Sequence, residues 1–512
     1  MALALVGLYG WRITFHPGPF DLFNPRPIVP LSASFTSTEI DQFLSAAMKS
    51  EAMTDPLQRC LTFPDPPRSH WSHATVAAYC RLFMEPAISQ SDAVDLIRKG
   101  HADELDRRLA GLLRAQLSQG NSSGLFESLY ELDFYDASAE VRTAIDAWKR
   151  QSPASAFAYA ASGDAYMRAA QDARGRKFVD ETPAGNFEAM NTQLTLARAD
   201  LDKAVALDPK VTPAYSAMIT AGRLGSDVPY ALAAAKRGLA VDPANYYIYD
   251  YLLTLAEPKW DGSQLAMLEV AVRGFFHAGE NPLLLLLVPE AAAYAAGFHG
   301  CACRDPVDLT AFTKVFDQVG DINSLRSAGT AASSAKQYSF SVVYLAETLR
   351  FDPSRSSARI ELINDLTSSF LIPAALAEGN RAVALEPKNP DSYRARGYTY
   401  QRTDDFANAE KDYETVLALA PDDDWALSEL GIIYVYSTHD WDKGWSAAER
   451  LIKSHPENPR GWALRFSIQK DQPRPGLRDT AKYLVDHFSE DPNVQKPIRD
   501  AQQILAESST QH

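Results

Sequence analysis

The chain has 512 residues, too many for one compact core, and its 46% hydrophobic and 22% charged residues are typical of a folded protein. Its 50 Lys and Arg residues against 65 Asp and Glu residues give a net charge of −15, which argues against general nucleic-acid binding because that depends on basic surface. Four cysteines are far fewer than a disulfide scaffold contains. Abundant alanine and leucine predict helices.

The N-terminus, residues 1–30, is predicted to be an apolar segment followed by a proline-rich linker. Its first 11 residues are apolar, but a transmembrane helix needs about 20 residues, and the basic start of a signal peptide is missing. Two interpretations remain open: a buried N-terminal segment, or the end of a membrane anchor that begins upstream of this start. The location is therefore either cytoplasmic or envelope-associated.

Residues 31–150 have helical patterns without a repeat period. Leu105, Leu109, Leu112 and Leu113 form one apolar stripe, which is typical of an amphipathic helix. Helices are predicted over 36–53, 69–84, 91–99, 103–119, 126–135 and 137–149. This part of the chain is interpreted as a helical N-terminal region.

The second half contains regularly spaced prolines. Pro353, Pro387, Pro421 and Pro456 are separated by 34, 34 and 35 residues, and each follows an apolar helical run. Such a period indicates a solenoid of helix pairs. Pro209 and Pro243 show the same spacing of 34 residues. The period predicts a first block over 151–281 with an insertion at 173–185, a junction over 282–321, a second block over 322–458, and a degenerate repeat with a C-terminal cap over 459–512.

The unit that ends at Pro421 resembles the tetratricopeptide repeat (TPR). Its pattern consists of a large residue, a glycine, a tyrosine, an alanine, an aromatic residue, a valine and the closing proline: Tyr393, Gly397, Tyr400, Ala409, Tyr413, Val416 and Pro421. Gly397 and Ala409 suit a close crossing of two helices. The resemblance implies an all-α solenoid of TPR-type helix pairs.

A second resemblance covers residues 126–209. Trp148 with the following Pro-Ala-Ser, and the Ala-Arg-Gly stretch that begins at Ala173, are similar to a bacterial TPR-associated family of unknown function. This resemblance implies a bacterial source and no particular activity.

The TPR resemblance implies that the first helix of each unit lines a concave groove that binds a protein or peptide. The predicted contacts combine aromatic anchors with polar and basic side chains: Asn364, Arg394, Tyr398, Arg402, Trp425 and Tyr436. Val435 also occupies a groove position in this pattern. The basic clamp with which some TPR proteins hold chaperone C-termini is matched only in part, because Ile360 stands where a basic residue is required. The alternative for Arg394 and Arg402 is solvated surface charge.

The insertion at 173–185 suggests a different function. A basic cluster, unusual in this acidic chain, lies in and beside it: Arg168, Arg174, Arg176 and Lys177. Such a cluster can hold phosphate or carboxylate, so an enzyme or an anion-binding module is an alternative. The sequence contains no glycine-rich phosphate loop, nucleophile elbow or HExxH motif.

We therefore expect a non-catalytic scaffold without cofactor or metal, whose partner is a protein or peptide and not a nucleic acid. His299, Cys301 and Cys303 are too few ligands for a usual zinc site. Contact with a membrane is expected only through an N-terminal anchor. A membrane-tethered assembly factor in the bacterial envelope is the remaining alternative.

Overall fold

The computed structural model describes residues 34–85, 88–118, 124–175, 177, 179–297 and 311–507. Over these residues the secondary structure consists of helices, and no strand occurs. Successive helices pack as neighbours, as α20 (Pro390–Gln401) does with α21 (Phe406–Leu419). The prediction of an all-α, TPR-type solenoid of helix pairs is confirmed.

The N-terminal region contains seven helices. They are α1 (Ser37–Glu51), α2 (Pro56–Thr62), α3 (His73–Met84), α4 (Gln90–Arg98), α5 (Ala102–Gln116), α6 (Leu125–Ser128) and α7 (Ala139–Gln151). A π-helical segment, Leu129–Phe134, continues α6. The helix predicted over 69–84 begins only at His73, because Ser72 caps the N-terminus of α3. The short helix α2, which starts at a proline, was not predicted.

The following helices include the repeats. They are α8 (Ala156–Arg174), α9 (Ala184–Leu207), α10 (Thr212–Leu224), α11 (Val228–Val241), α12 (Tyr246–Leu255), α13 (Gln264–Phe275), α14 (Leu287–Ala295) and α15 (Phe312–Val315). After them come α16 (Ile322–Ser334), α17 (Tyr338–Phe351), α18 (Ser356–Ser368), α19 (Ile372–Leu385), α20 and α21. The last five are α22 (Asp424–Ile432), α23 (Trp441–Ser454), α24 (Pro459–Asp471), α25 (Leu477–Phe488) and α26 (Gln495–Glu507).

The chain forms two compact units. The first unit consists of the described part of Met1–Ala331 together with Arg350–Asp352. The second unit consists of Ala332–Leu349 and the described part of Pro353–His512. Buried apolar side chains from α4 to α12 form one core in the first unit, with Trp148 and Tyr130 fully enclosed. Smaller clusters, such as the one around Tyr413, stabilise the second unit.

A buried disulfide joins two helices of the N-terminal region. Cys60 in α2 and Cys80 in α3 are bonded, and both are fully buried. Arg350 contacts the same place: its Nε donates to the carbonyl oxygen of Cys60 at 2.9 Å, and one terminal nitrogen pairs with Asp65 at 2.8 Å. These contacts assign Arg350–Asp352 to the first unit.

A left-handed residue marks the turn between the two helices of each regular unit. Ser226, Lys336, Phe370, Asp404 and His439 have φ between 54° and 58°. Each precedes by 17 residues the proline that closes its unit, namely Pro243, Pro353, Pro387, Pro421 or Pro456. The repeat is therefore visible in the backbone conformation as well as in the prolines. Non-glycine side chains pay a steric cost at such positions.

Replacing Lys336 by glycine should stabilise the second unit. Lys336 is exposed and has φ +58°, so glycine relieves backbone strain without removing a buried contact, a gain of about 0.5–1 kcal/mol. Chemical denaturation would measure it. Lys336→Val, which places a β-branched side chain in the same conformation, should destabilise by a similar amount. Equal stabilities for the two variants would contradict the assigned turn.

The 35-residue unit accommodates its extra residue in a π-helical turn. α22 ends at Ile432 and a π-helical segment, Ile433–Ser437, follows before the turn at His439. An inserted residue is commonly absorbed in this way, and it rotates the side chains that follow it. Val435, expected to face the groove, is instead 1% exposed and packs with Leu464 and Ile468. That prediction is wrong because the period alone does not locate the insertion.

The leucine-rich segment near the predicted junction forms part of the core of the first unit. Leu283, Leu284 and Leu286 are fully buried in a 3-10 turn. Pro289 lies in the first turn of α14, where its missing N–H costs no helical hydrogen bond.

Candidate functional site

The first helices of successive units in the second unit carry the predicted groove residues. A cavity of about 460 Å³ lies between α18 and the start of α20. Its lining consists of Ser356, Ser357, Ile360, Glu361, Asn364 and Asp391. Four of these six occupy positions that the TPR pattern assigns to the groove, and Asn364 is one of the residues predicted to contact the ligand.

An aromatic and basic cluster continues from this cavity. Asp391 lines the cavity and also pairs with Arg394, one helical turn further along α20. The Arg394 guanidinium lies 5.9 Å from the centre of the Trp425 ring, and Tyr398 meets Trp425 edge to face at 6.4 Å. The structure therefore brings together Arg394, Tyr398 and Trp425, three of the predicted contacts. Each of the three remains partly exposed.

The charge of Arg394 is already compensated within the chain. One terminal nitrogen donates to Asp391 and the other to Asp423, while its Nε has no hydrogen-bond partner among the described residues. A ligand carboxylate would have to compete with two internal carboxylates. Arg394 therefore links Asp391 and Asp423 and lies against the Trp425 ring, so its contacts within the chain fix its position.

Trp425 is fixed in position by a buried tyrosine and the hydrogen bonds behind it. Its ring meets the buried Tyr413 edge to face at 5.2 Å. The Tyr413 hydroxyl donates to Gln401 at 2.6 Å, and Gln401 donates in turn to Glu429 at 2.8 Å. Glu429 also pairs with Arg460 at 2.8 Å. This chain of contacts gives the aromatic cluster one fixed geometry.

Two predicted residues lie apart from this cluster. Arg402 is exposed at the end of α20, where its guanidinium lies 5.1 Å from the ring centre of Phe370. Tyr436, in the π-helical turn, is 51% exposed and its hydroxyl bonds to Ser467 of α24 at 2.8 Å. Arg402 and Tyr436 are therefore surface residues that each contact another side chain of this protein. Neither belongs to the cavity lining or to the cluster around Trp425.

The basic insertion makes mostly local contacts. Arg174 donates to the carbonyl oxygens of Gly175 and Lys177 at 3.2 and 3.1 Å, and Arg168 pairs with Asp172 at 3.1 Å. Lys177 is exposed, and Arg176 lies outside the described residues. These contacts explain the loop conformation without an anion.

The structure also bears on metal binding and on membrane-spanning helices. Among the described residues, no group of three His, Cys, Asp or Glu side chains is arranged to hold a metal ion. The stretch with His299, Cys301 and Cys303 lies outside the described residues, as do residues 1–30. None of the described helices has both the length and the apolar character that crossing a bilayer requires.

Two features of the structure were not predicted. Glu361 adds an acidic side chain to the cavity. The only signal for it in the sequence is that it follows Ile360, which the repeat assigns to the groove. In the first unit, four separate elements each place a carboxyl group in the interior, which no sequence motif signals.

Comparison with known proteins gives no family. The chain matches no model of a known protein family and no curated protein. Among solved structures, it is similar to yeast Tom70 at 10% identity, covering 92% of this chain and 96% of that one, with a TM-score of 0.34.

Two further solved structures are similar at the same low level. The human IFIT1 dimer with PPP-AAAA is 12% identical, covers 93% of this chain and 96% of that one, and has a TM-score of 0.32. The TPR domain of P58(IPK) is 13% identical over 62% of this chain and 95% of that one, with a TM-score of 0.21. Scores this low carry no argument about function. The bacterial source remains a prediction.

Proposed function

We propose that the chain is a non-catalytic scaffold that binds a segment of another protein along the first-helix face of its second unit. The observation that carries the proposal is the continuity from the cavity beside Asn364, through Asp391, to the exposed faces of Tyr398 and Trp425. Fixed aromatic side chains supply large contact areas at low entropic cost and are typical of binding hot spots. No cofactor is needed for this function.

The charges of the groove favour one kind of segment. Glu361 and Asp391 lie in the cavity, and Arg394 is paired with Asp391 and Asp423. A segment with an apolar side chain for the Tyr398–Trp425 pair and a polar or basic side chain for the cavity fits better than an acidic one. We therefore assign the aromatic pair as the anchor, and Asn364 as a polar contact.

Replacing Asn364 and Tyr398 together by alanine should weaken binding of the partner about tenfold, a loss of about 1.4 kcal/mol. Neither residue is fully buried or essential to the core beneath Trp425, so helicity should be retained. Affinity capture with the intact chain identifies bound proteins, and titration of a purified one measures the loss. Photo-crosslinking from position 398 locates the contact directly.

The control variant combines Arg168→Ala with Arg174→Ala, which removes the basic insertion as an alternative site. If this variant no longer captures the partner while the groove variant still does, the binding site is the insertion and not the groove. Salt distinguishes the two as well, because the Debye length falls from about 10 Å at 0.1 M to about 3 Å at 1 M. Binding to the aromatic pair should change little over that range.

A further inference from the structure

The interior of the first unit contains a group of carboxyls from four elements, which we call the acidic cluster: Glu131, Asp164, Asp250 and Glu290. Glu131 lies in the π-helical segment after α6, Asp164 in α8, Asp250 in α12 and Glu290 in α14. Asp250 and Glu290 hydrogen bond to each other, and Glu131 accepts a hydrogen bond from the Tyr251 hydroxyl. No lysine or arginine forms an ion pair with any of the four among the described residues.

One member of the acidic cluster lacks a partner although it is almost fully buried. Asp164 is 5% exposed, and its Oδ2 has no hydrogen-bond partner among the described residues. α8, which carries Asp164, packs against the π-helical segment that carries Glu131, and the charge of Glu131 adds to the burial that raises the pKa of Asp164. One Glu290 oxygen, Oε2, is likewise buried without a partner. A buried carboxyl oxygen without a donor is costly, so a group that donates hydrogen bonds would stabilise both oxygens.

The surroundings contain more acidic than basic groups. Glu127 lies nearby with three donors on one oxygen, Glu257 pairs with Lys259, and Asp321 caps α16. The cations that face the cluster are Arg223, whose guanidinium lies 4.8 Å from the Trp260 ring, and Arg168, which pairs with Asp172. Burial raises the pKa of Glu131 to about 8 and that of Asp250 to about 7. The positive charge that the described residues supply here is too small to keep the carboxyls ionised.

We propose that the acidic cluster binds an alkylammonium or guanidinium group of a ligand. Glu131, Asp250 and Glu290 remain partly exposed, so a side chain or a small amine can reach them. The partly exposed ring of Tyr251 borders the same place and offers a face for a cation, whereas the Tyr135 ring already has the Arg168 guanidinium 5.8 Å from its centre. An organic cation fits better than a metal ion, because no three carboxyls of the described residues converge on one point. The shared chemistry has two sources, a lysine or arginine of a protein segment and a free polyamine.

Calorimetric titration of the whole chain tests the proposal. The probes are spermidine, acetyl-tetralysine amide, and the same peptide with acetylated side chains. We expect saturable binding of spermidine or of the charged peptide and none of the acetylated one. The preference between the two charged probes identifies the source. Binding should also release protons, because the cation favours the ionised carboxyls, and the heat should therefore differ between phosphate and Tris buffers.

The decisive variant is Asp164→Asn with Glu131→Gln, which keeps the shape and removes two carboxyls that could ionise when a cation binds. Affinity should fall about tenfold or more, with proton release reduced. The matched control is Asp95→Asn with Asp103→Asn, which makes two carboxyl-to-amide changes at exposed positions in the same unit. The control should bind like the unmodified chain. Equal losses in both variants, or no saturable binding of either charged probe, would overturn the proposal.

Discussion

The first unit should be more stable at pH 5.5 than at pH 8.5. Burial raises the pKa of Glu131 from 4.5 to about 8 and that of Asp250 from 3.8 to about 7, and it raises the pKa of Asp164 and Glu290 well above the ordinary range. Between about pH 4.5 and pH 8 the folded chain therefore holds protons that the unfolded chain releases. Each such proton lowers the free energy of unfolding by about 1.4 kcal/mol for every pH unit of increase.

Calorimetric melting across this range measures the effect. Carboxyls with a lowered pKa make the protein less stable as the pH falls, but they do so below this pH range. Arg68, for example, lowers the pKa of Glu39 to about 2, so the stability that Glu39 contributes is lost only in stronger acid. Replacing Glu131 by Gln and Asp164 by Asn should raise the melting temperature at pH 8.5 and flatten the pH dependence. A melting temperature that rises steadily with pH in the unmodified chain would refute the assignment of these carboxyls as neutral.

Replacing Gly397 by leucine should strongly destabilise the second unit. A Cβ atom at this position would lie 2.6 Å from the Tyr413 Cε1 and 3.2 Å from the Asp412 Cβ. Tyr413 cannot move aside, because its ring is fully buried, Trp425 packs against it, and its hydroxyl is bonded to Gln401. Overpacking of this kind costs about 1–3 kcal/mol, and a leucine side chain adds three carbons to the overlap.

The matched control is Ala407→Leu, which introduces the same side chain at an exposed position of α21 in the same unit. It should leave the melting temperature nearly unchanged. The transition that Gly397→Leu lowers in a calorimetric scan also identifies the second unit, so that the pH effect can be assigned to the other one. Unchanged melting of Gly397→Leu would mean that α20 and α21 do not cross at this glycine.

The spacing of the prolines was sufficient to predict the helix pairs, because Pro353, Pro387 and Pro421 end second helices at a constant distance. The TPR resemblance assigned Ile360 and Asn364 to the groove face of the first helix, and both line the cavity. When the repeat length is constant, every unit contacts its neighbour in the same way, so corresponding residues occupy corresponding positions. These are the parts of the fold and of the site that the sequence alone could predict.

Where the period changes, the prediction loses accuracy. The extra residue of the last regular unit lies between Gly431 and Trp441, and only the backbone shows that it forms a π-helical turn that buries Val435 and exposes Tyr436. The acidic cluster could not be predicted for a different reason. Glu131 and Glu290 are far apart in the sequence and meet only through packing, so no local pattern signals them. The internal partners of Arg394 depend likewise on the position of the neighbouring helix.

The bond between Cys60 and Cys80 makes the folding of the first unit depend on its redox environment. Disulfides form in secretory and periplasmic compartments, whereas cytosolic thiol systems keep cysteines reduced. In a reducing cytosol α2 and α3 would still be held by packing, by the Arg350 contacts and by polar contacts such as the Arg59–Glu51 ion pair. In protein produced under oxidising conditions the disulfide would be formed. A cross-link that closes a loop of this length adds about 3 kcal/mol to the free energy of unfolding. Material from the two routes would therefore differ in resistance to heat and proteases while sharing one sequence.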